Sequence, residues 1–256
     1  MINVIEYTFE KGPVFMPVVH YHSEVEFWKS VEIAVKFSDG IWIIRQGKVT
    51  QKRICEIGEE LRSKYGPDLF IGVNFLCNND RAFSKVESMG PIFDGLWVDN
   101  AQIDEDDESQ FAADLFRERM NKSSWHGIYF GGTAFKYQKP VRDLDLAARY
   151  ASEYMHVVTT SGPGTGKQAA PHKVKIMRKA IDESAGIGCT LGMINFPIRA
   201  SLALASGVSI KNVKKYLPYV NAFLVGTSIE DEFGILNELK TRELYLAIRD
   251  YRSKQR

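Results

Sequence analysis

The chain has 256 residues, 45% hydrophobic and 25% charged, enough apolar material for a substantial core and a length that suits one α/β barrel or two small domains. Its 33 basic and 32 acidic residues leave a formal net charge of +1, which argues against a nucleic-acid surface or a polybasic membrane attachment. Cys55, Cys77 and Cys189 are scattered, odd in number and lack C-x-x-C spacing, so neither a disulfide framework nor a zinc site is expected and a reducing, cytoplasmic compartment is.

In chain order, residues 1–16 read as an N-terminal extension; MINVIEYTFEKGPVF lacks the apolar core of a signal peptide, and no run elsewhere is long enough to insert in a membrane. Short apolar runs then alternate with amphipathic helical patterns. The strand candidates are PVVHY (17–21), IWIIR (41–45), LFIGVNF (69–75), GLWVDN (95–100), GIYFGG (127–132), HVVTTS (156–161), SLALAS (201–206) and AFLVGT (222–227). Between them lie EVEFWKSVEIAVKF, VTQKRICEIGEELRSKYG, the shorter DRAFSKVESMG, SQFAADLFRERM, VRDLDLAARYASEYM, KVKIMRKAIDESAG and SIKNVKKYLPYV, with GILNELKTRELYLAIRDY after the last strand. Near-continuous apolarity suits strands buried on both faces, and eight of them in strict alternation predict one α/β domain over 1–256, a parallel eight-stranded (β/α)8 TIM barrel. The stretch 186–200, GIGCTLGMINFPIRA, is long for a connection and reads as an irregular insertion before the seventh strand. The acidic run DEDDE (104–108) lacks the ligand spacing and Gly of a calcium loop and is expected to complement the N-terminus of the helix that follows.

In such a barrel, strand C-termini and the loops after them form the catalytic face. That filter selects His20 and His22, Arg45, Asn74, Asp99 and Asn100, Lys136, Thr160 and Ser161, Ser206 and Gly207, and Gly226 and Thr227. The last two loops, ASGVSIKNV and VGTSIEDEF, place Gly and small hydroxyl residues where backbone N–H groups can meet an anion; the first is expected to run directly into a helix N-terminus. They are read as a phosphate site, with Thr160 and Ser161 closing over it. The neighbouring SGPGTGK imitates a nucleotide-binding P-loop. Ser161, however, stands where the motif's first Gly is required, and Gln168 where a metal-binding hydroxyl is required.

Asp99 and Lys136 form the acid-base candidate pair, since a carboxylate and an amine in one mouth tune each other; Lys136 is alternatively an imine former, if a buried site lowers its pKa, and the bland alternative is a rigidifying ion pair. In His20-x-His22 the rings point to opposite sides of a strand, so at most one faces the ligand; His20 is taken as the catalytic candidate. Arg45, Asn74 and Asn100 are substrate-binding candidates, Arg45 through its bidentate fork. No metal or flavin cofactor is demanded by any residue, although His20 or His22 with Asp99 could serve metal-dependent hydrolysis.

The series PVVHYHS, FIGVNFL, GLWVDNAQI, TTSGPGTGK, LALASGVSIKNVKKYL and FLVGTSI resembles the BtpA family over residues 17–250, most closely in TSGPGTG and ASGVSIKNV. The resemblance implies a (β/α)8 barrel with a phosphate-type site, but no defined reaction; the family's link to photosystem I biogenesis does not transfer on these residues. The sequence therefore supports an enzyme acting on a small phosphorylated metabolite by isomerase, lyase or glycosyl-transfer chemistry. The alternative is a non-catalytic assembly or regulatory factor with a retained anion pocket, docking through 186–200. The 12% aromatic content could also supply a homo-oligomer interface.

Overall fold

The computed structural model describes residues 1–21, 23–184 and 198–255. In it the eight apolar runs close into a parallel barrel in sequence order: β1 (Val14–His20), β2 (Ile41–Ile44), β3 (Ile71–Asn74), β4 (Gly95–Val98), β5 (Ile128–Gly132), β6 (Val157–Thr160), β7 (Ser201–Ala205) and β8 (Ala222–Val225). The helices are α1 (Val4–Phe9), α2 (Glu24–Lys36), α3 (Gln51–Tyr65), α4 (Asn79–Met89), α5 (Phe111–Lys122), α6 (Leu144–Tyr154), α7 (Pro171–Glu183) and α8 (Glu238–Ser253). Among the described residues, no helix is long and apolar enough to cross a membrane.

Local chemistry sets where the helices start. Asn3, Ser23, Thr50, Asn78, Asp143 and Asn237 each accept a bond from the backbone N–H three residues on, satisfying one orphan donor per helix for about 1 kcal/mol. Alternation along the strands sorts the core in two. Met16, Val18, Trp42, Ile44, Trp97, Phe130 and Leu224 belong to the cluster inside the barrel. Val19, Ile43, Val73, Val98, Val158 and Phe223 belong to the layer between barrel and helices. Trp42 fills the centre: its indole N–H donates to the Met16 sulfur at 3.1 Å, and its ring meets Phe130 edge-on at 4.7 Å. Glycines on the neighbouring strands make the room, since a Cβ at Gly72 would lie 2.3 Å from the indole.

Residues 1–16 are not an extension. Val4 and Ile5 of α1 enter the inner cluster, the Ile5 N–H donates to Ser201 Oγ at 2.9 Å, and Val14, Phe15 and Met16 already form β1. The first helix thus closes the end of the barrel opposite the strand C-termini. A second correction concerns 209–220, read as a helix: only Val213–Lys215 form a 3-10 turn, because Pro218 has no N–H to continue a helix and β8 starts soon after. The acidic run is also corrected. Lys139 bonds Asp104 and Asp106, and Glu105 accepts the Arg142 N–H at 2.7 Å, so the run binds the β5–α6 connection rather than the start of α5. Of the expected insertion 186–200, residues up to 197 lie outside the described residues; Ile198 is buried in the inner cluster and Arg199 bridges to Asn3.

Candidate functional site

The loops after β6, β7 and β8 enclose a cleft of about 270 Å³, lined by Gly166 and Gln168 from the first, Gly207, Ser209 and Asn212 from the second, and Thr227 and Ser228 from the third. Ser206 and Gly207 both take left-handed backbone, at φ 76° and 70°. Gly207 is required there: a Cβ would lie 2.2 Å from the Lys167 carbonyl oxygen and 2.5 Å from the Gln168 Cα. Gly162 admits the same segment within its own loop, since a Cβ there would lie 2.0 Å from the Lys167 oxygen. Gly207 therefore lets the loops after β6 and β7 touch along their backbones. Ser206 Oγ fastens the contact, accepting the Gly166 N–H at 3.0 Å. Asn212 holds the other wall, accepting from the Ser209 N–H at 2.8 Å and donating to the Gly207 carbonyl at 2.7 Å.

Among the described residues no charged side chain lines this cleft, so an anion there would be met by neutral donors. At β8 the chain makes a 3-10 turn, Thr227–Ile229, whose first internal bond is Ile229 N–H to the Gly226 carbonyl at 2.9 Å. The N–H groups of Thr227 and Ser228 precede that bond and have no acceptor within the turn.

Beside the cleft, His20 continues the inward face of β1. Its Nδ1 lies 2.8 Å from Glu230 Oε1, both side chains being largely buried, and the Phe233 ring packs on the imidazole at 4.6 Å. Gly226 is small for His20's sake: a Cβ there would stand 3.0 Å from His20 Cε1. Across the mouth, Asn74 donates from Nδ2 to Asp99 Oδ1 at 2.9 Å and accepts the Leu76 N–H at 2.8 Å. Burial pushes the Asp99 carboxyl above the usual carboxylate range, against the opposing pull of Asn74 and Lys136. Gln138 closes over it, donating to the Asp99 and Gly132 carbonyls at 2.7 and 3.1 Å.

The remaining candidates are placed differently from the sequence expectation. Lys136 makes no ion pair with Asp99; its Nζ reaches Thr165 Oγ1 at 3.4 Å on the half-exposed rim, without the burial an imine-forming lysine requires. Arg45 and Asn100 fall on the outward parity of their strands. Arg45 donates to the Val49 carbonyl at 2.7 Å, while exposed Asn100 closes a turn with the Gln102 N–H at 2.8 Å. Thr160 and Ser161 are fully buried; Thr160 bonds the Ala134 carbonyl, and Ser161 accepts the Lys136 N–H at 2.8 Å, so they shape the β5 and β6 loops instead of lining the cleft. Among the described residues no three His, Cys, Asp or Glu side chains gather as a metal site, and His22 lies outside them.

Two residues escaped the sequence reading. Glu230 was one acid among three in IEDEF, and only its inward register distinguishes it. Lys173 sits in the first turn of α7, half-buried, donating to the Ala134 and Ser161 carbonyls, and burial pushes its ammonium down to about 8. A cation at a helix N-terminus opposes the helix dipole, which was the available signal.

No family model and no curated protein matches the chain. Solved structures do. Phosphoribosyl anthranilate isomerase from Thermus thermophilus aligns with a TM-score of 0.58 and 13% identity over 93% of this chain and 99% of that one. A mutant tryptophan synthase alpha-subunit from the hyperthermophile Pyrococcus furiosus gives 0.61 and 13% over 91% and 97%. The phosphoribosylanthranilate isomerase of Thermotoga maritima gives 0.57 and 12% over 98% and 100%. Likeness at these identities defines the class of fold, a (β/α)8 barrel, and nothing finer.

Proposed function

We propose that this barrel is an enzyme acting on a small phosphorylated metabolite of phosphoribosyl, nucleotide or sugar-phosphate type, bound at the C-terminal mouth. The observation that carries the reading is the neutral, donor-lined cleft between the loops after β6, β7 and β8. Phosphate sites in such barrels commonly occupy the loops after strands seven and eight. Similarity to an isomerase whose name specifies a phosphoribosyl substrate adds an analogy of fold, which by itself assigns no chemistry.

In this reading Gly207, Ser209, Thr227 and Ser228 hold the phosphate, and the rest of the ligand extends over the barrel axis toward Asp99. A carboxyl raised by burial above the usual carboxylate range suits proton transfer, and isomerase chemistry, which moves a proton between neighbouring atoms, demands least beyond it. Lyase and glycosyl-transfer chemistry follow. Membership of the BtpA family belongs to the same proposal, resting on TSGPGTG and ASGVSIKNV, whose backbones meet at Gly207. The docking segment of the non-catalytic alternative lies almost wholly outside the described residues, and no observation favours that reading.

Binding tests the proposal. Inorganic phosphate and ribose 5-phosphate should each raise the melting temperature of the wild type, and Thr227→Glu, at an exposed position, should abolish both shifts without lowering the unliganded melting temperature. A wild type that neither compound stabilises would sink it.

A further inference from the structure

The His20–Glu230 pair has the form of a proton-transfer device. The 2.8 Å contact fits the tautomer in which His20 Nδ1–H donates to the Glu230 carboxylate, which leaves Nε2 as the bare nitrogen. Among the described residues Nε2 has no hydrogen-bond partner, and 12% of the His20 side chain stays accessible. Glu230 is held from behind: Lys240 Nζ donates to its carbonyl at 2.8 Å, and the Glu230 side chain is almost wholly buried. Its second oxygen, Oε2, is buried with no hydrogen-bond partner. A buried carboxylate so incompletely satisfied is costly in a purely structural pair, yet it is poised to stabilise positive charge arising on the ring beside it. The ring itself is fixed on three sides, by Glu230, by Phe233, and by Gly226, where no larger residue fits without moving the imidazole. Gly226 leads directly into Thr227, a wall of the cleft.

We propose that His20 is a catalytic base oriented by Glu230, taking a proton from a carbon or oxygen of the sugar portion of a ligand whose phosphate lies in the adjoining cleft. The inference rests on the phosphate reading above and adds the residues that move the proton. In the step, the substrate bond to hydrogen breaks, its electron pair stays on the substrate, and the proton forms a new bond to Nε2. The imidazolium so formed keeps its Nδ1–H on Glu230, and returning the proton to a neighbouring substrate atom completes an isomerisation with no other reactant. Glu230 is a positioning residue, acting through His20.

The test reads the ring directly. Two-bond ¹H–¹⁵N spectra of the neutral ring in the wild type should show the proton on Nδ1 and a bare Nε2; Glu230→Leu, which removes the acceptor, should move the proton to Nε2. Diethyl pyrocarbonate, which acylates an unprotonated ring nitrogen, should modify His20, and saturating ribose 5-phosphate should slow that modification at least tenfold while leaving exposed His126 unaffected. A wild-type ring protonated on Nε2 overturns the proposal whether or not the variant folds. Ribose 5-phosphate that binds calorimetrically without protecting His20 overturns it alone and leaves the phosphate reading standing. If neither ribose 5-phosphate nor inorganic phosphate binds, the phosphate reading fails and the proposed base loses its substrate, whatever the tautomer.

Discussion

Replacing Gly207 with Ala should destabilise the barrel or, where the neighbouring loop yields, displace a wall of the cleft. At φ 70° the added Cβ incurs the left-handed penalty of about 1–2 kcal/mol. It would also stand 2.2 Å from the Lys167 carbonyl oxygen, 2.3 Å from its carbon and 2.5 Å from the Gln168 Cα, all backbone atoms that cannot rotate away. Overpacking of this kind costs about 1–3 kcal/mol, so the sum is about 2–5 kcal/mol if the 162–168 loop stays in place. If the loop gives way, the steric cost falls and the cleft wall carrying Gly166 and Gln168 is displaced instead. Gly47→Ala is the internal control: its φ is 58°, yet nothing lies within 4 Å of the added Cβ, so only the backbone penalty applies. Urea denaturation of both variants, with phosphate titrated into each, separates the terms. We expect Gly207→Ala either to lose at least 1 kcal/mol more stability than Gly47→Ala or, where it does not, to weaken phosphate binding at least tenfold, by roughly 1.4 kcal/mol. A Gly207→Ala protein matching Gly47→Ala in stability and the wild type in phosphate binding would refute the reasoning.

Three further outcomes follow from the same geometry. Because burial raises the folded-state pKa of Asp99, the native protein holds that proton over a pH range where the unfolded chain has lost it, and the ionised group costs stability once pH exceeds the folded value. Asp99→Asn should therefore be more stable than the wild type at neutral pH, as read by melting temperature, the gap narrowing in acid, while turnover of any substrate found is lost; an equal gap at every pH would contradict this. Lys173 has the opposite charge type: its folded pKa of about 8 lies below the 10.5 of an unperturbed lysine, so wild-type stability should climb as pH rises between those values, by up to about 3 kcal/mol, relative to Lys173→Met, and parallel profiles for the two proteins would count against it. Gly72→Ala forces a methyl within 2.3 Å of Trp42 and should cost at least about 1 kcal/mol with a shift in tryptophan emission; a neutral effect would mean the barrel centre is looser than described.

The strands were legible because burial on both faces leaves an unbroken apolar signature, which IWII and AFLV carry without ambiguity. The misread helix at 209–220 shows the limit of periodicity. The apolar spacing of SIKNVKKYLPYV is satisfied by turns that bury Val213, Tyr216 and Leu217, and Pro218 decides against a helix. At the mouth, chain position located the cleft loops but not the direction of each side chain. One residue's difference in register turns Asp99 inward and Asn100 outward, just as Ile44 faces the axis and Arg45 the helices. Glycine was legible as a requirement and not as a reason, since Gly226 yields to the imidazole of His20 and Gly207 to a crossing backbone. Glu230 and Lys173 matter through long-range contacts, to residues 210 positions away in one case and 39 in the other, which local pattern does not encode.

The most direct measurement is a backbone ¹H–¹⁵N titration of the whole protein with inorganic phosphate. The account predicts saturable shifts at the amides of Gly207, Ser209, Thr227 and Ser228, absent in Thr227→Glu. Saturable shifts confined to another part of the surface, or no shifts at these amides at millimolar phosphate, would contradict it.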